Sequence, residues 1–411
     1  MTFSLKYWVR TWLYLFAFFL PVSITGAELS LGVLALTLIA ITAGRFSESP
    51  VRPFPLLAPL TAFICGHVVS ALSGPDPLSS LASIDWVFIA MPVTVAAMRV
   101  TGELRRPVII LVSVGAVIAV YAIAQHFLGI DLVRPEGREV IIPMEGSDGR
   151  YLSIGTFGHH LTYSHLYQFI FLFLFAFVIQ HLGDRKHLHL TLPAAGVVGL
   201  SLIFSYSRGI WVAVTLSALL IVWMLRGKKW LALAVVPVAL GFLALLSNGS
   251  MEERLRSMTS MEANIERQII YQANWDAIRD HPLLGLGSGR YQGTMTPYYE
   301  RYNPPDQMPR VHAHNNFLQV WLNAGVIGLL GFLWLNFAFL KEAWRSIQRG
   351  TFKRPIDRVL LAAGSGGVLA FLIGGLTQYN LSDSEVAMTY WFVMGMALRV
   401  MEEVEWSWSS P

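Results

Sequence analysis

Apolar positions in this chain come in long unbroken runs, not in the alternation of a half-buried strand or the single stripe of a surface helix. A helix that crosses a membrane needs roughly 20 mostly apolar residues. Runs near 8–25, 28–44, 54–72, 84–99, 107–129, 160–181, 190–205, 209–225, 229–247, 316–340, 358–379 and 384–400 predict about twelve such spans. The first run follows Lys6 and Arg10 as a signal peptide would, but a second run follows almost at once, so it reads as an uncleaved first transmembrane helix. The expected fold class is therefore an all-α integral membrane protein. Residues 1–247 hold the first nine spans and a polar loop at 130–159, 248–315 form a large second loop, and 316–411 hold the last three spans and the C-terminus.

Composition agrees with the pattern. The chain has 411 residues, 54% hydrophobic and 14% charged, against about 25% charged in soluble domains, and its mean hydropathy is +0.52. A net charge of +4 would suggest nucleic acid in a soluble protein. Here bilayer orientation accounts for it, and no nucleic-acid partner is expected. Cytoplasmic loops retain Lys and Arg. With the N-terminus inside, the inner segments hold Lys6, Arg10, Arg45, Arg52, Arg99, Arg105, Arg106, Arg185, Lys186, Arg226, Lys228, Lys229, Lys341, Arg345, Arg349, Lys353, Arg354 and Arg358, which include every lysine of the chain. The short outer loops carry Glu28, Asp76, Asp85, Asp383 and Glu385. Both termini are then cytoplasmic and both long loops lie outside. Cys65 is the only cysteine, so an intrachain disulfide is impossible.

The large loop is not a linker. In MEANIERQIIYQANWDAIRDHP, Ile265, Ile269, Ala273 and Ala277 share one helical face by their four-residue spacing, and Arg267, Tyr271 and Asn274 fall on a polar one. Pro282 ends that helix, HPLLGLGSGRYQG reads as a glycine-rich turn region, and PYYERYNPPDQMPR reads as irregular. No internal repeat, low-complexity tract or heptad pattern is found.

Every outer cation is an arginine: Arg134, Arg138, Arg150, Arg208, Arg254, Arg256, Arg267, Arg279, Arg290, Arg301 and Arg310. Arginine binds phosphate through a planar fork and stays charged, so a phosphate-bearing ligand at the outer surface is one reading; solvated or ion-paired loop residues are the other. Arg208 sits in SYSRGIW, a tiny turn between apolar helices, either to bind an anion or to snorkel at the interface. Arg267 is either an anion ligand or the partner of Glu262 or Glu266. His314 and Asn315 stand just ahead of the tenth span, where Asn315 suits an N-cap. The helix N-terminus and nearby arginines favour a neutral imidazole at His314, which suits a general base near neutral pH; a packed polar residue is the alternative. His312 is a potential partner, though two positions apart the rings need not face each other. A zinc reading of HAH lacks further ligands, and no DxD motif is present to hold a divalent cation, so a departing pyrophosphate would depend on arginines and no metal or cofactor is expected. His159, His160, Tyr163 and Ser164 either line a headgroup or acceptor pocket or form an interfacial aromatic belt with Tyr151. Asp383, in LSDSE, either orients a histidine or sugar hydroxyl or caps the last span. His67 and His126 read as core histidines.

His314-Asn315 followed, after nine residues, by Gly325-Val326-Ile327-Gly328 resembles the signature of bacterial O-antigen ligases. Ser207–Gly209 (SRG) and His281–Gly289 (HPLLGLGSG) resemble further segments of the wider O-antigen ligase and polymerase family, and the large loop ahead of the signature fits as well. The resemblance implies transfer of O-antigen polysaccharide from undecaprenyl pyrophosphate to lipid A–core oligosaccharide at the periplasmic face of the inner membrane. It also implies a fold similar to polyprenyl-phosphate-dependent membrane glycosyltransferases that invert the anomeric centre. By position, His314 matches the family's essential histidine and Arg208 and Arg267 its essential arginines; Asp383 falls at a further acidic position, in a stretch of variable local sequence. His314 would deprotonate the acceptor hydroxyl while the arginines hold the diphosphate, with His312, Tyr271 and Asn315 in support. An O-antigen polymerase, a protein O-glycosylating ligase and a secondary transporter are the alternatives, the last disfavoured because transporters show repeats and interrupted helices.

Overall fold

The computed structural model describes residues 3–44, 54–134, 140–144, 149–236, 261–305, 308, 310–349 and 352–409. Arg45, Arg52, Arg138, Arg254, Arg256, the side chain of Glu262 and the end of the 229–247 run lie outside the described residues.

Apolar runs become helices because, without water, every backbone N–H and C=O must find a partner inside its own segment. Among the described residues there is no strand, only an isolated bridge between Pro143 and Tyr151. In chain order the helices are α1 (Phe3–Phe19), α2 (Ile24–Gly44), α3 (Leu57–Leu72), α4 (Pro77–Ala82), a 3₁₀ turn at Trp86–Ile89, α5 (Ala90–Thr101), α6 (Arg105–Leu128), α7 (His160–Gln180), α8 (Arg185–Phe204) and α9 (Arg208–Arg226). After the large loop begins come α10 (Met261–Asp280), α11 (Tyr291–Glu300), α12 (Asn316–Arg349), α13 (Pro355–Gly374) and α14 (Ser384–Ser409).

Every predicted run coincides with helix except 229–247, of which only the helical part up to residue 236 is described. Among the described residues seven helices, α2, α6, α7, α8, α9, α12 and α13, are long and apolar enough to cross a membrane, and Leu57–Leu72 and Trp86–Thr101 are apolar but shorter. The protein is thus a multi-pass membrane protein, helical throughout its described regular structure. Its centre is formed by α7, α13 and α14, where Phe169, Phe371, Tyr390 and Trp391 are almost wholly inaccessible.

Two elements of the large loop depart from expectation. The tract expected to be irregular begins as helix, because α11 runs through Pro297 to Glu300 and buries Tyr291, Tyr298 and Tyr299 against α10. Asn274, placed by spacing on a polar face of α10, is fully buried, with Nδ2 donating to the Ile270 carbonyl at 2.6 Å. Ile265, expected on the apolar face, is 43% exposed. The buried stripe is instead Ile269, Ile270, Ala273, Ala277 and Ile278. It follows the side that α11 covers; the Nδ2 bond offsets part of the cost of burying the amide, while Asn274 Oδ1 finds no hydrogen-bond partner among the described residues.

Helix α12 is not one rod. Gly325 has φ 64° and ψ −172°, a region open essentially to glycine alone, and it divides the helix into 316–324 and a longer second part. Past the break, Gly328 and Gly331 lie against Gly66 and the backbone at Phe63 of α3, the close helix approach that small residues permit in membranes.

Candidate functional site

The polar opening of α12 is a chain of satisfied backbone donors. Gln319 Oε1 accepts from Ala313 N–H at 2.7 Å, His312 Nδ1 from His314 N–H at 3.1 Å, and Asn315 Oδ1 from Phe317 and Leu318 N–H at 2.8 and 3.1 Å. Asn315 is therefore the N-cap its position suggests. His314 itself adopts φ +47°, uncommon for a residue with a side chain. The resulting left-handed turn brings the His312 and His314 rings to 4.1 Å between centroids, so residues two apart face each other after all.

The loop from Gly375 to Asp383, between α13 and α14, receives most of the site. His314 Nδ1 lies 3.2 Å from Gln378 Oε1. Asn315 Nδ2 donates to the Leu376 carbonyl at 2.9 Å, and Tyr271 O–H reaches the same carbonyl at 3.5 Å. Asn316 is buried beneath this loop: its N–H donates to Gly375 O at 2.7 Å, its Oδ1 accepts from Asn380 N–H at 2.9 Å, and its Nδ2 pairs with Asn380 Oδ1. A short donor turn and the loop are thus locked together, with the His314 ring between them.

The donor at Nδ1 faces an amide oxygen, so the proton of a neutral His314 resides on Nδ1 and Nε2 keeps its lone pair. Burial holds His314 below the usual histidine range, the Gln378 bond opposes this, and the nearby Arg267 charge adds to the lowering. Burial and then the charge of His314 push His312 down to about 4. Arg267 is exposed on α10, close enough to act on His314 through its field, and no ion pair to it occurs among the described residues.

Arg208 is the first residue of α9, after a turn in which Tyr206 takes φ +53° and Ser207 O accepts from Ile210 and Trp211 N–H at 3.1 and 3.2 Å. Its side chain is exposed, and among the described residues it has no hydrogen bond or ion pair. A Cβ on the next residue, Gly209, would stand 2.8 Å from Thr377 Oγ1. The start of α9 therefore abuts the loop one residue before Gln378.

The other expected residues are dispersed. Asp383 Oδ2 accepts from Thr162 Oγ1 at 3.0 Å, and burial raises its pKa to about 6; among the described residues no histidine bonds to it. Tyr163 is fully buried and donates to Ser201 Oγ at 2.6 Å, and half-buried His160 pairs through Nδ1 with Ser205 O at 2.8 Å. Both are packed on α7 and its neighbours. His126 is a core histidine, stacked on Phe204 at 4.0 Å with Nδ1 2.6 Å from Tyr151 O. Among the described residues no three His, Cys, Asp or Glu side chains form a metal-ligating group. Gln378, Gln319 and Tyr379 were missed by the residue-type argument. For Gln378 and Tyr379 the one legible signal is the polar run TQYNLSDSE cutting between two apolar helices.

The glycine-rich segment fits into the break in α12. Val326 N–H, released by the kink, donates to Leu283 O at 3.2 Å, Leu286 N–H donates to Leu322 O, and Trp321 Nε1 donates to Pro282 O at 2.9 Å. A Cβ at Gly285 (φ +68°) would collide with Leu322 O, and one at Gly325 with Leu283 O. The interruption is filled by protein backbone, unlike the discontinuous helices that line transporter sites. Beside it, a cavity of about 470 Å³ extends from His312 and Tyr379 to Asp85, Ser288, Gln292 and Trp391; His67, expected in the core, also lines it, with Nδ1 3.2 Å from Ser288 Oγ.

Comparison with known proteins addresses the same segments. Residues 193–333 match the O-antigen ligase family. The chain is 24% identical over 164 residues to the O-antigen ligase of Salmonella typhimurium, covering 38% of this chain and 40% of that one. It is 29% identical over 127 residues to a Rickettsia felis protein described as "Putative polysaccharide ligase", covering 30% of this chain and 29% of that one. The similarity thus spans well under half the length of either relative. The family match takes in the Arg208 turn, α10, the glycine-rich loop and His314 together, so residues 193–333 are similar to the O-antigen ligase family.

Proposed function

We propose that the chain transfers a polysaccharide from undecaprenyl pyrophosphate to lipid A–core oligosaccharide at the periplasmic face of the inner membrane, by an inverting, metal-independent glycosyl transfer. The observation that carries this reading is the His314 ring, with Nδ1 on Gln378, Nε2 free to take a proton and Arg267 beside it. Nε2 removes the proton of an acceptor hydroxyl, and the oxygen attacks the anomeric carbon as the carbon–oxygen bond to the diphosphate breaks. The electron pair leaves on undecaprenyl pyrophosphate, whose charge Arg208 and Arg267 stabilise, and the proton stays on His314 until solvent removes it. Burial and Arg267 both keep the ring neutral before the step, the state a base must occupy. His312, Asn315 and Tyr271 act through the shape of the turn and loop. In this orientation both termini and the lysine-bearing ends are cytoplasmic, and apolar helices bordering the site accept the polyprenyl tail.

The test is transfer by purified protein with undecaprenyl-pyrophosphate-linked glycan and lipid A–core in the presence of EDTA. Product on lipid A–core from wild type and none from His314→Ala is expected. Longer polyprenyl-linked chains with lipid A–core untouched would identify a polymerase instead. Full activity of a folded Arg208→Ala or Arg267→Ala protein would remove that residue from the mechanism.

A further inference from the structure

The cavity beside His312 does not belong to the diphosphate. Among the described residues no Lys or Arg lines it, and His314, Arg208 and Arg267 all lie outside its lining, which includes Asp85. An anion would meet repulsion there and no counter-charge. A hydrocarbon tail fits no better, because it would strip water from polar groups without replacing their hydrogen bonds.

Those groups form a specific set. Tyr379 O–H accepts from Asn323 Nδ2 at 3.3 Å and so keeps its own proton to donate. His312 Nδ1 is taken up by His314 N–H, which places its ring proton on Nε2 as a second donor. Asp85 accepts from Val87 N–H through Oδ1 at 3.3 Å and keeps Oδ2 as an acceptor, and Gln292 adds an exposed amide with both functions. Gln319 bridges Ala313 N–H and Asn323 Oδ1 to hold this wall in place: its Oε1 accepts at 2.7 Å and its Nε2 donates at 2.9 Å. Phe63, Phe88 and Trp391 line the same cavity, and an aromatic face carries a negative π surface that attracts C–H groups. Hydroxyl, imidazole and amide groups, one carboxylate acceptor and aromatic rings in one cavity match a sugar ring, which carries hydroxyls around its edge and C–H bonds on its faces. The volume of about 470 Å³ is that of a small-ligand site.

We propose that this cavity is a neutral sugar-binding subsite, joined to the candidate base through the 4.1 Å contact of His312 with His314. It rests on the reading of His314 as the base, and deepens it by placing a glycan ring within reach of that base. Gln378 turns to His314 and the adjacent Tyr379 to the cavity, so the loop between α13 and α14 separates the sugar from the arginines. The acceptor glycan is the expected source, since its hydroxyl must meet His314 on a path the diphosphate does not occupy.

The experiment measures binding apart from turnover. Two probes are used on purified protein by saturation-transfer NMR: lipid-free core oligosaccharide, and glycan released from the polyprenyl donor. Variants are Ser382→Trp, which fills the cavity from an exposed position, and Tyr379→Phe, which removes one donor. Core oligosaccharide is expected to bind wild type and His314→Ala alike, about fivefold more weakly to Tyr379→Phe, and tenfold or more weakly to Ser382→Trp. The same losses with the donor glycan instead would keep the sugar subsite and assign its ring to the donor. Unchanged binding of both glycans in both variants overturns the proposal. If wild type transfers no glycan yet the binding losses appear, the reaction fails and the sugar subsite stands.

Discussion

Replacing Gly325 with alanine tests whether the break in α12 is imposed by the glycine-rich loop. At φ 64° and ψ −172° a side chain costs about 1–3 kcal/mol in backbone strain alone. Its Cβ would also collide with Leu283 O, displacing the bond that satisfies Val326 N–H at 3.2 Å, worth about 1 kcal/mol. The sum is about 2–4 kcal/mol of stability. Two reference substitutions separate the contributions. Gly102 is left-handed at φ +72° with nothing within 4 Å of a built Cβ, so Gly102→Ala pays only the left-handed cost of about 1–2 kcal/mol. Gly32 is helical with equally open space, and Gly32→Ala should gain about 0.5–1 kcal/mol. Equilibrium unfolding of the purified proteins in one detergent should rank Gly32→Ala above wild type, then Gly102→Ala, then Gly325→Ala. A Gly325→Ala protein as stable as Gly102→Ala would show that the loop contact contributes nothing, and one as stable as wild type would refute the break itself.

Three further outcomes are expected. Because burial and Arg267 depress the pKa of His314, the acid limb of kcat/KM should lie below pH 6.5, and Arg267→Gln should move that limb to higher pH while lowering the plateau; a limb that does not move would take Arg267 out of reach of the base. Gln378→Leu removes the acceptor that orients the His314 ring and should lower turnover about 10-fold or more, whereas Gln378→Glu keeps the orientation, recovers activity and shifts the acid limb upward through its charge; equal activity of Gln378→Leu and wild type would deny the orienting role. The carboxyl of Asp383, raised from 3.8 to about 6 by burial, keeps its proton in the folded state while the unfolded chain loses it. Its contribution is therefore fully present below pH 3.8 and lost as pH rises through about 6. Unfolding midpoints measured between those values should fall with rising pH in wild type and flatten in Asp383→Asn.

Much of this molecule was legible in the chain because the membrane leaves few options. Long apolar runs can only be helices, so their positions, and those of the loops between them, followed from composition in blocks. The cap at Asn315 was also local: it needs only an oxygen two and three residues before free N–H groups. Among the described residues seven helices meet the length and apolarity of a span, against the about twelve runs legible in the chain. The motif residues could be picked out by type, yet their roles could not. Gln378 lies 64 residues from His314, and no local pattern distinguishes it from any other loop amide. Asn274 looked solvent-facing by periodicity and is buried, since which face of α10 is covered depends on where α11 packs. His160 and Tyr163 read as belt or, second to that, as pocket, and packing of α7 against its neighbours decided their surroundings. The sequence alone determined an all-helical membrane protein with its polar chemistry collected at Arg208, Arg267 and the opening of α12. Only the tertiary structure decided that the opening faces the α13–α14 loop, that the glycine-rich segment fills the break at Gly325, and that a polar cavity adjoins His312. The physical reason is that burial in a bilayer acts on each segment by itself, whereas a site depends on contacts between segments far apart in the chain.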